Sequence, residues 1–128
     1  DIFEESDQYL NLPTTELDVD LGKSRNLDMV IKNNAVRVND CSFDLMLDAT
    51  PAGSIDPRNW ITFSQKTGIR VSKSAPYKIR MQIKPLKANA QLGEYLVVLR
   101  LIAPIGCGEE FIAGSLVGSP EPITIRVK

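Results

Sequence analysis

Side chains suited to chemistry are scarce in this chain of 128 residues, which has no histidine and two cysteines, Cys41 and Cys107. Histidine is the usual general base and the commonest transition-metal ligand, so its absence excludes Ser-His-Asp and Cys-His catalysis and most zinc sites. Two cysteines 66 positions apart cannot hold zinc or an iron–sulfur cluster by themselves. They can form a disulfide, which would constrain the unfolded chain by about 4 kcal/mol, or remain two separate buried thiols.

Carboxylates are the acid–base groups that remain in quantity, and their spacing does not favour catalysis. Asp44 and Asp48 share one face of a predicted strand about 13 Å apart, at roughly 3.3 Å per residue, which is too far for a glycosidase pair unless another strand supplies the partner. Asp18 and Asp20 lie about 7 Å apart, but no Asp-rich loop with calcium-ligand spacing accompanies them. We therefore expect surface acids, no metal site, no cofactor and no enzymatic activity.

Alternation of apolar and polar residues predicts the strands that would position these groups. Turn residues such as Asn33 and Asn34 separate them, and no helical periodicity is present. The pattern is typical of an all-β, immunoglobulin-like antiparallel β-sandwich of seven to eight strands. We expect 16–21, 27–32 and 77–84 in one sheet, and 41–48, 95–103 and 123–127 in the other. The predicted strands are 16–21, 27–32, 41–48, 60–63, 68–71, 77–84, 95–103 and 123–127.

The length fits one domain. Residues 1–12 are acidic and weakly patterned, which predicts a flexible N-terminal arm, and 13–128 would form the sandwich. The chain starts at Asp1 rather than Met, which is consistent with the removal of a membrane anchor or an export signal from the N-terminus.

A Gly-x-Tyr sequence, Gly93 to Tyr95, stands directly before the strand at 95–103. In sandwich domains this arrangement can form a tyrosine corner, in which the phenol bonds to backbone a few residues upstream. The alternative is that Tyr95 is simply a half-buried strand aromatic.

The order of these segments resembles surface immunoglobulin-like modules of archaea and bacteria, related to the major-sperm-protein type and to sandwich domains that accompany sugar-binding modules. The resemblance covers about 12–103 and is carried by LDVDL, LDMVIKNN, CSFDLML, WITFS, KIRMQIKP and LGEYLVVLRL. It implies a non-catalytic part of a cell-surface or secreted protein. The chain departs from the family after Ala103, where about twenty residues replace a simple hairpin.

The strand at 95–103 is apolar on both faces, although the outer face of a half-solvated sheet should be polar. Exposed apolar patches commonly mark an interface. A homodimer or filament contact through this sheet is one interpretation, and cover by 104–122 or by the N-terminal arm is the other. The predicted interface residues on the two central strands are Met46, Leu96, Val98, Arg100 and Ile102.

The segment 104–122, PIGCGEEFIAGSLVGSPEP, combines glycine with apolar residues, which is unusual for a solvent loop. It is either a partner-binding element that presents Phe111, Ile112 and Leu116, or a loop that folds back over the sandwich while Cys107 ties it to the strand at 41–48.

Charge is segregated along the chain, because 57–93 contain eight bases and no acid while 1–56 contain twelve acids and four bases. A nucleic-acid or acidic-glycan patch is one interpretation of these bases. Cross-strand pairing with acids on the same outer face is the alternative that we favour, and no aromatic residues are interleaved to support a nucleic-acid partner. The bases are Lys78, Arg80, Lys84 and Lys87, and the acids are Asp18, Asp20 and Asp28.

These observations favour a non-catalytic, extracytoplasmic protein-interaction module, on the cell surface or secreted, which is a structural or accessory part of a cell-surface assembly. The expected partner is a surface-layer or filament protein or a second copy, and one specific version is the soluble domain of an archaeal surface-filament component. The alternative is a carbohydrate-binding accessory domain with Trp60, Tyr77 or Tyr9 as stacking aromatics.

Overall fold

The computed structural model of the protein describes residues 8–35, 38–50 and 55–128. Within them, ten strands form two sheets packed face to face, which confirms the predicted all-β sandwich with more strands than expected. A short 3₁₀ helix at Pro57–Trp60 precedes the fifth strand. The strands are β1 (Leu10–Asn11), β2 (Glu16–Val19), β3 (Arg25–Ile31), β4 (Asp40–Ala49), β5 (Ile61–Phe63), β6 (Ile69–Ser72), β7 (Tyr77–Ile83), β8 (Gly93–Ala103), β9 (Ser115–Leu116) and β10 (Glu121–Val127).

The first sheet has the order β1-β3-β7-β5 and is antiparallel throughout. The second sheet has the order β2-β10-β8-β4-β6, and β9 also pairs with β8. Between β4 and β7 the chain changes sheet at every strand. The short strands β5 and β6 therefore each form an edge, β5 of the first sheet and β6 of the second.

The position of β2 corrects the expected sheet arrangement. The sequence predicts that 16–21 joins the sheet of β3 and β7, but β2 pairs in parallel with β10 at the edge of the second sheet. The Lys128 amide donates to the Val19 carbonyl at 3.0 Å, and the Leu21 amide donates to the Lys128 carbonyl at 2.9 Å. Alternation cannot reveal such a partner, because it reports only which face of a strand is buried.

The predicted arm at 1–12 overlaps the sandwich at its C-terminal end. Residues 1–7 lie outside the described residues, whereas Leu10 is buried and β1 pairs with β3. The ring of Tyr9 meets those of Phe43 and Phe111 edge to face, at centroid distances of 6.0 and 5.7 Å. The described sandwich therefore begins before residue 13.

Alternating residues of both sheets form one core, in which Phe43, Met29 and Ile79 are fully buried. The tyrosine corner, one of the two interpretations of Tyr95, is confirmed. The Tyr95 hydroxyl donates to the Gln91 carbonyl at 2.8 Å and accepts from the Gln91 amide at 3.1 Å. The corner ties the connection before β8 to the second sheet.

Candidate interaction surface

The outward side of the second sheet, called here the β4–β8 face, carries apolar residues on adjacent strands. Cross-strand pairing places Ile102 opposite Leu116, and Val98 opposite Pro122. Because such neighbours are close enough for their side chains to touch, we treat the residues as one patch. The apolar residues of the β4–β8 face are Met46, Leu96, Val98, Ile102, Leu116 and Pro122.

Three of these side chains are strongly exposed: Leu96 is 58% accessible, Leu116 47% and Met46 43%. Single exposed apolar residues are normal, but neighbours grouped on adjacent strands of one sheet form a surface that water solvates poorly. The β4–β8 face is therefore the described surface best suited to contact an apolar partner.

One ion pair lies within the patch, between Arg100 and Asp48. Arg100 is opposite Met46 and Asp48 is opposite Val98, so both charges sit among the apolar residues. Both side chains remain partly exposed. A shallow pocket of about 200 Å³ opens beside the pair, and it is lined by Asp48, Ala49, Thr50, Leu96, Val98 and Arg100.

A left-handed turn follows β8. Gly106, Cys107, Gly108 and Glu109 have φ values of 80°, 51°, 58° and 78°. For the two residues that are not glycine, this conformation costs about 1–2 kcal/mol each. A Cβ at Gly106 would lie 2.7 Å from the Phe111 carbonyl oxygen, so only glycine fits there. The geometry thus gives the glycines of this segment a structural role.

The disulfide between Cys41 and Cys107 joins this turn to the start of β4, with a Cα–Cα distance of 5.1 Å. Both cysteines are buried. The disulfide was one of the two interpretations of the cysteines in the sequence, and the structure supports it. The bond also holds the turn against the second sheet.

The segment 104–122 folds back onto the sandwich in part and leaves some of its apolar residues exposed. Val117 is buried, and Phe111 is half-buried against Tyr9, so part of the segment folds back onto the sandwich. Ile105 and Ile112 remain 74% and 83% accessible. These two isoleucines extend the apolar surface available beyond the end of β8.

Most of the predicted interface residues lie together. Six of them belong to the β4–β8 face, whereas Phe111 packs inward and Ile112 projects from the segment 104–122. Sequence reasoning missed Pro122 and Ile105. Pro122 could have been found from its alternation with the inward Ile123. The six are Met46, Leu96, Val98, Arg100, Ile102 and Leu116.

The aromatics proposed for sugar stacking do not form an exposed platform. Trp60 is 3% accessible and meets Tyr95 edge to face at 5.1 Å. Tyr77 is half-buried and donates its hydroxyl hydrogen to Gln65 Oε1. Tyr9 is half-buried within the aromatic cluster described above. A sugar ring could not stack flat on Trp60 while it is buried.

Other chemistries find little support in the part of the chain that the structure describes. That part contains no group of three or more His, Cys, Asp or Glu residues that could hold a metal ion. Separately, none of its helices is long and apolar enough to cross a membrane.

Comparisons with known proteins agree with the fold. No protein-family model and no curated protein matches the sequence. The chain is similar to a solved family 123 glycoside hydrolase from Clostridium perfringens, with a TM-score of 0.64 and 14% identity over 88% of this chain and 22% of that one. It is also similar to domains 4 and 5 of the S-layer protein SbsC, with a TM-score of 0.54 and 8% identity over 94% of this chain and 51% of that one. At these identities the similarities establish the sandwich fold, and the chain spans about a fifth and about half of the two.

Proposed function

We propose that the protein is a non-catalytic, extracytoplasmic module that acts by protein contact, as a structural or accessory part of a cell-surface assembly. The β4–β8 face carries this proposal, because its exposed Leu96, Leu116 and Met46 would be removed from water by a partner. The disulfide supports an oxidising compartment, where such bonds persist. The similarity to S-layer domains supports a place at the cell surface.

The partner that we propose for this face is a second copy of the chain, in a twofold face-to-face contact. A twofold interface needs a self-complementary surface. The pair of Arg100 and Asp48 supplies both charges within the apolar patch. Arg100 of one copy can therefore face Asp48 of the other, while the apolar residues around them pack together.

A more specific form of the proposal is the soluble domain of an archaeal surface-filament component. In that form, the β4–β8 face joins copies in pairs within the filament. Ile105 and Ile112 on the segment 104–122 then contact the surface layer. Their exposure is the observation that supports a second contact.

Light scattering over a range of concentrations tests the self-association. We expect the wild-type mass to rise from monomer to dimer, with or without reductant, because the disulfide lies within one chain. Val98→Asp should keep the protein monomeric, since it places a second carboxylate beside Asp48. Thr62→Asp is the matched control, because Thr62 is an exposed strand residue on the opposite sheet.

Circular dichroism and thermal melting will show whether the variants fold. If Val98→Asp does not fold, Leu96→Asp replaces it, because Leu96 is more exposed. A wild-type protein that stays monomeric at all concentrations would overturn the proposed contact. Folded Val98→Asp and its control Thr62→Asp that both self-associate at the wild-type strength would also overturn it.

A further inference from the structure

The outward side of the first sheet, called here the basic face, carries charged residues, unlike the apolar β4–β8 face. Its bases lie on β7 or directly after β3 and β7, and its acid, Asp28, pairs with Arg80 at 2.8 Å. Among the described residues, none forms an ion pair with the three lysines of this face. The bases are Lys32, Lys78, Arg80 and Lys84.

The neutralisation expected from Asp18 does not occur on this face. Asp18 belongs to the second sheet, where it pairs with Lys128 at 3.1 Å and Arg126 at 3.5 Å. Asp20 forms no ion pair with any described residue. The basic face therefore keeps three positive charges in excess, counting four bases against Asp28.

A polar groove of about 280 Å³ crosses the basic face. Asn26, Gln82 and Thr62 form one row across β3, β7 and β5. Their side chains make no hydrogen bond to another described residue, so their donors and acceptors face solvent. The groove is lined by Asn26, Thr62, Phe63, Ser64, Arg80 and Gln82.

Two lysines flank this groove along β7. Lys78 lies two residues before Arg80, and Lys84 two residues after Gln82. At roughly 3.3 Å per residue, the two Cα atoms are about 20 Å apart. Positive charge thus stands on both sides of a row of neutral amides and a hydroxyl.

We infer that the basic face binds an acidic polysaccharide, laid along β7 through the polar groove. Amide and hydroxyl groups both donate and accept hydrogen bonds, which matches the hydroxyls of a sugar ring. Lys78 and Lys84 attract carboxylates that recur along such a polymer. This site is separate from the β4–β8 face, so the protein can bind a polymer and another protein at once.

Two other polyanions fit the groove less well. Nucleic acid binding to single strands depends on exposed aromatics for base stacking, and the aromatic residue that lines the groove, Phe63, is half-buried. An acidic peptide would use the lysines but would not supply a hydroxyl for each amide. The hydrogen-bonding row therefore favours the sugar polymer.

Binding to immobilised polygalacturonate, dextran, poly-L-glutamate and poly-U tests the inference. We expect binding to polygalacturonate, none to neutral dextran, and about tenfold weaker binding to the other two polyanions. Raising sodium chloride from about 50 to about 200 mM should weaken binding on the order of tenfold, because the lysines are exposed and screened.

Single variants separate charge from hydrogen bonding. Lys78→Gln and Lys84→Gln should each weaken polygalacturonate binding about threefold, whereas Arg70→Gln on β6 of the other sheet should not, although it removes the same charge. Gln82→Ala should weaken binding to polygalacturonate but not to poly-L-glutamate. The inference is overturned by the absence of binding at low salt, by equal binding to poly-L-glutamate with no effect of Gln82→Ala, or by tighter binding to poly-U.

Discussion

The two outer faces of the sandwich differ in chemistry although their central strands share the same alternation. On β7 the outward residues include Lys78, Arg80 and Gln82, whereas on β8 they include Leu96 and Val98. Each strand buries its other side in the same core, so the core does not decide the outer side. On our two proposals, the difference instead reflects what each face meets: water and a charged ligand for the basic face, and an apolar partner for the β4–β8 face.

The sheets also differ in how they are held. The second sheet has the disulfide at one end of β4 and the tyrosine corner before β8. In the described residues, the first sheet contains neither device. A sheet that must present a preformed surface to a partner benefits from such constraints, because less conformational entropy is lost on binding.

Removing the disulfide should have the largest effect, with a global loss of stability and an additional local loss in the second sheet. We expect Cys41→Ala with Cys107→Ala to lower the free energy of unfolding by about 4 kcal/mol, since the unfolded chain loses a closed loop. Chemical denaturation measures this change. Hydrogen exchange should rise in the segment 104–114 and the start of β4, with β3 and β7 less affected. A uniform rise in all strands would mean that the bond does not stabilise the second sheet selectively.

Removal of one hydroxyl from each sheet sharpens the comparison. Tyr95→Phe should lower the free energy of unfolding by about 1–3 kcal/mol, because the two part-buried bonds to the Gln91 backbone are lost. Tyr77→Phe is the control on the first sheet, and its half-buried bond to a side chain should contribute less. Equal losses in urea denaturation would argue against a special role for the corner.

Ionisation of Glu121, at the start of β10, should have a smaller effect on the free energy of unfolding. Burial raises the pKa of its carboxyl above the usual 4.5, so the folded state disfavours the charged form. Glu121→Gln should therefore raise the free energy of unfolding at pH 7, by at most about 0.5 kcal/mol. The gain should disappear as the pH falls below the unfolded pKa, where both states are protonated. A gain that persists at pH 3 would not come from ionisation.

The pKa values of two aspartates, one on each sheet, should respond to different substitutions, with little change in the free energy of unfolding. Hydrogen bonding to Lys128 lowers the pKa of Asp18, and hydrogen bonding to Arg80 lowers that of Asp28. Each pair therefore stabilises the fold above the unfolded pKa and loses this effect as the pH falls through the folded pKa. Lys128→Gln should raise only the Asp18 pKa, and Arg80→Gln only that of Asp28, as measured by carboxyl-carbon NMR. A shift of both by either variant would contradict the separation.

Much of the β4–β8 face could be predicted from the sequence. Leu96 and Val98 alternate with inward residues, so their outward position follows from the strand period alone. The basic face could not be predicted in the same way, because its charge depends on where Asp18 lies. That acid follows a clear strand pattern, but its strand pairs with β10, more than a hundred residues later.

Asn33 shows the same limit of prediction from sequence, here within a turn. The sequence marks Asn33 and Asn34 as turn residues. In the structure the buried Asn33 amide donates to the carbonyls of Asn39 and Val71, at 3.1 and 3.2 Å. No local sequence pattern predicts a hydrogen bond to Val71, which lies on β6.

The sequence by itself determined the fold class, most strand positions and the apolar outer side of β8. These follow from alternation and turn chemistry, which act over a few neighbouring residues. Only the tertiary structure decided the sheet that β2 joins, the union of Cys41 with Cys107 and the polar row on the basic face. Each of these depends on hydrogen bonds and packing between distant segments, and such contacts leave no periodic trace in the chain.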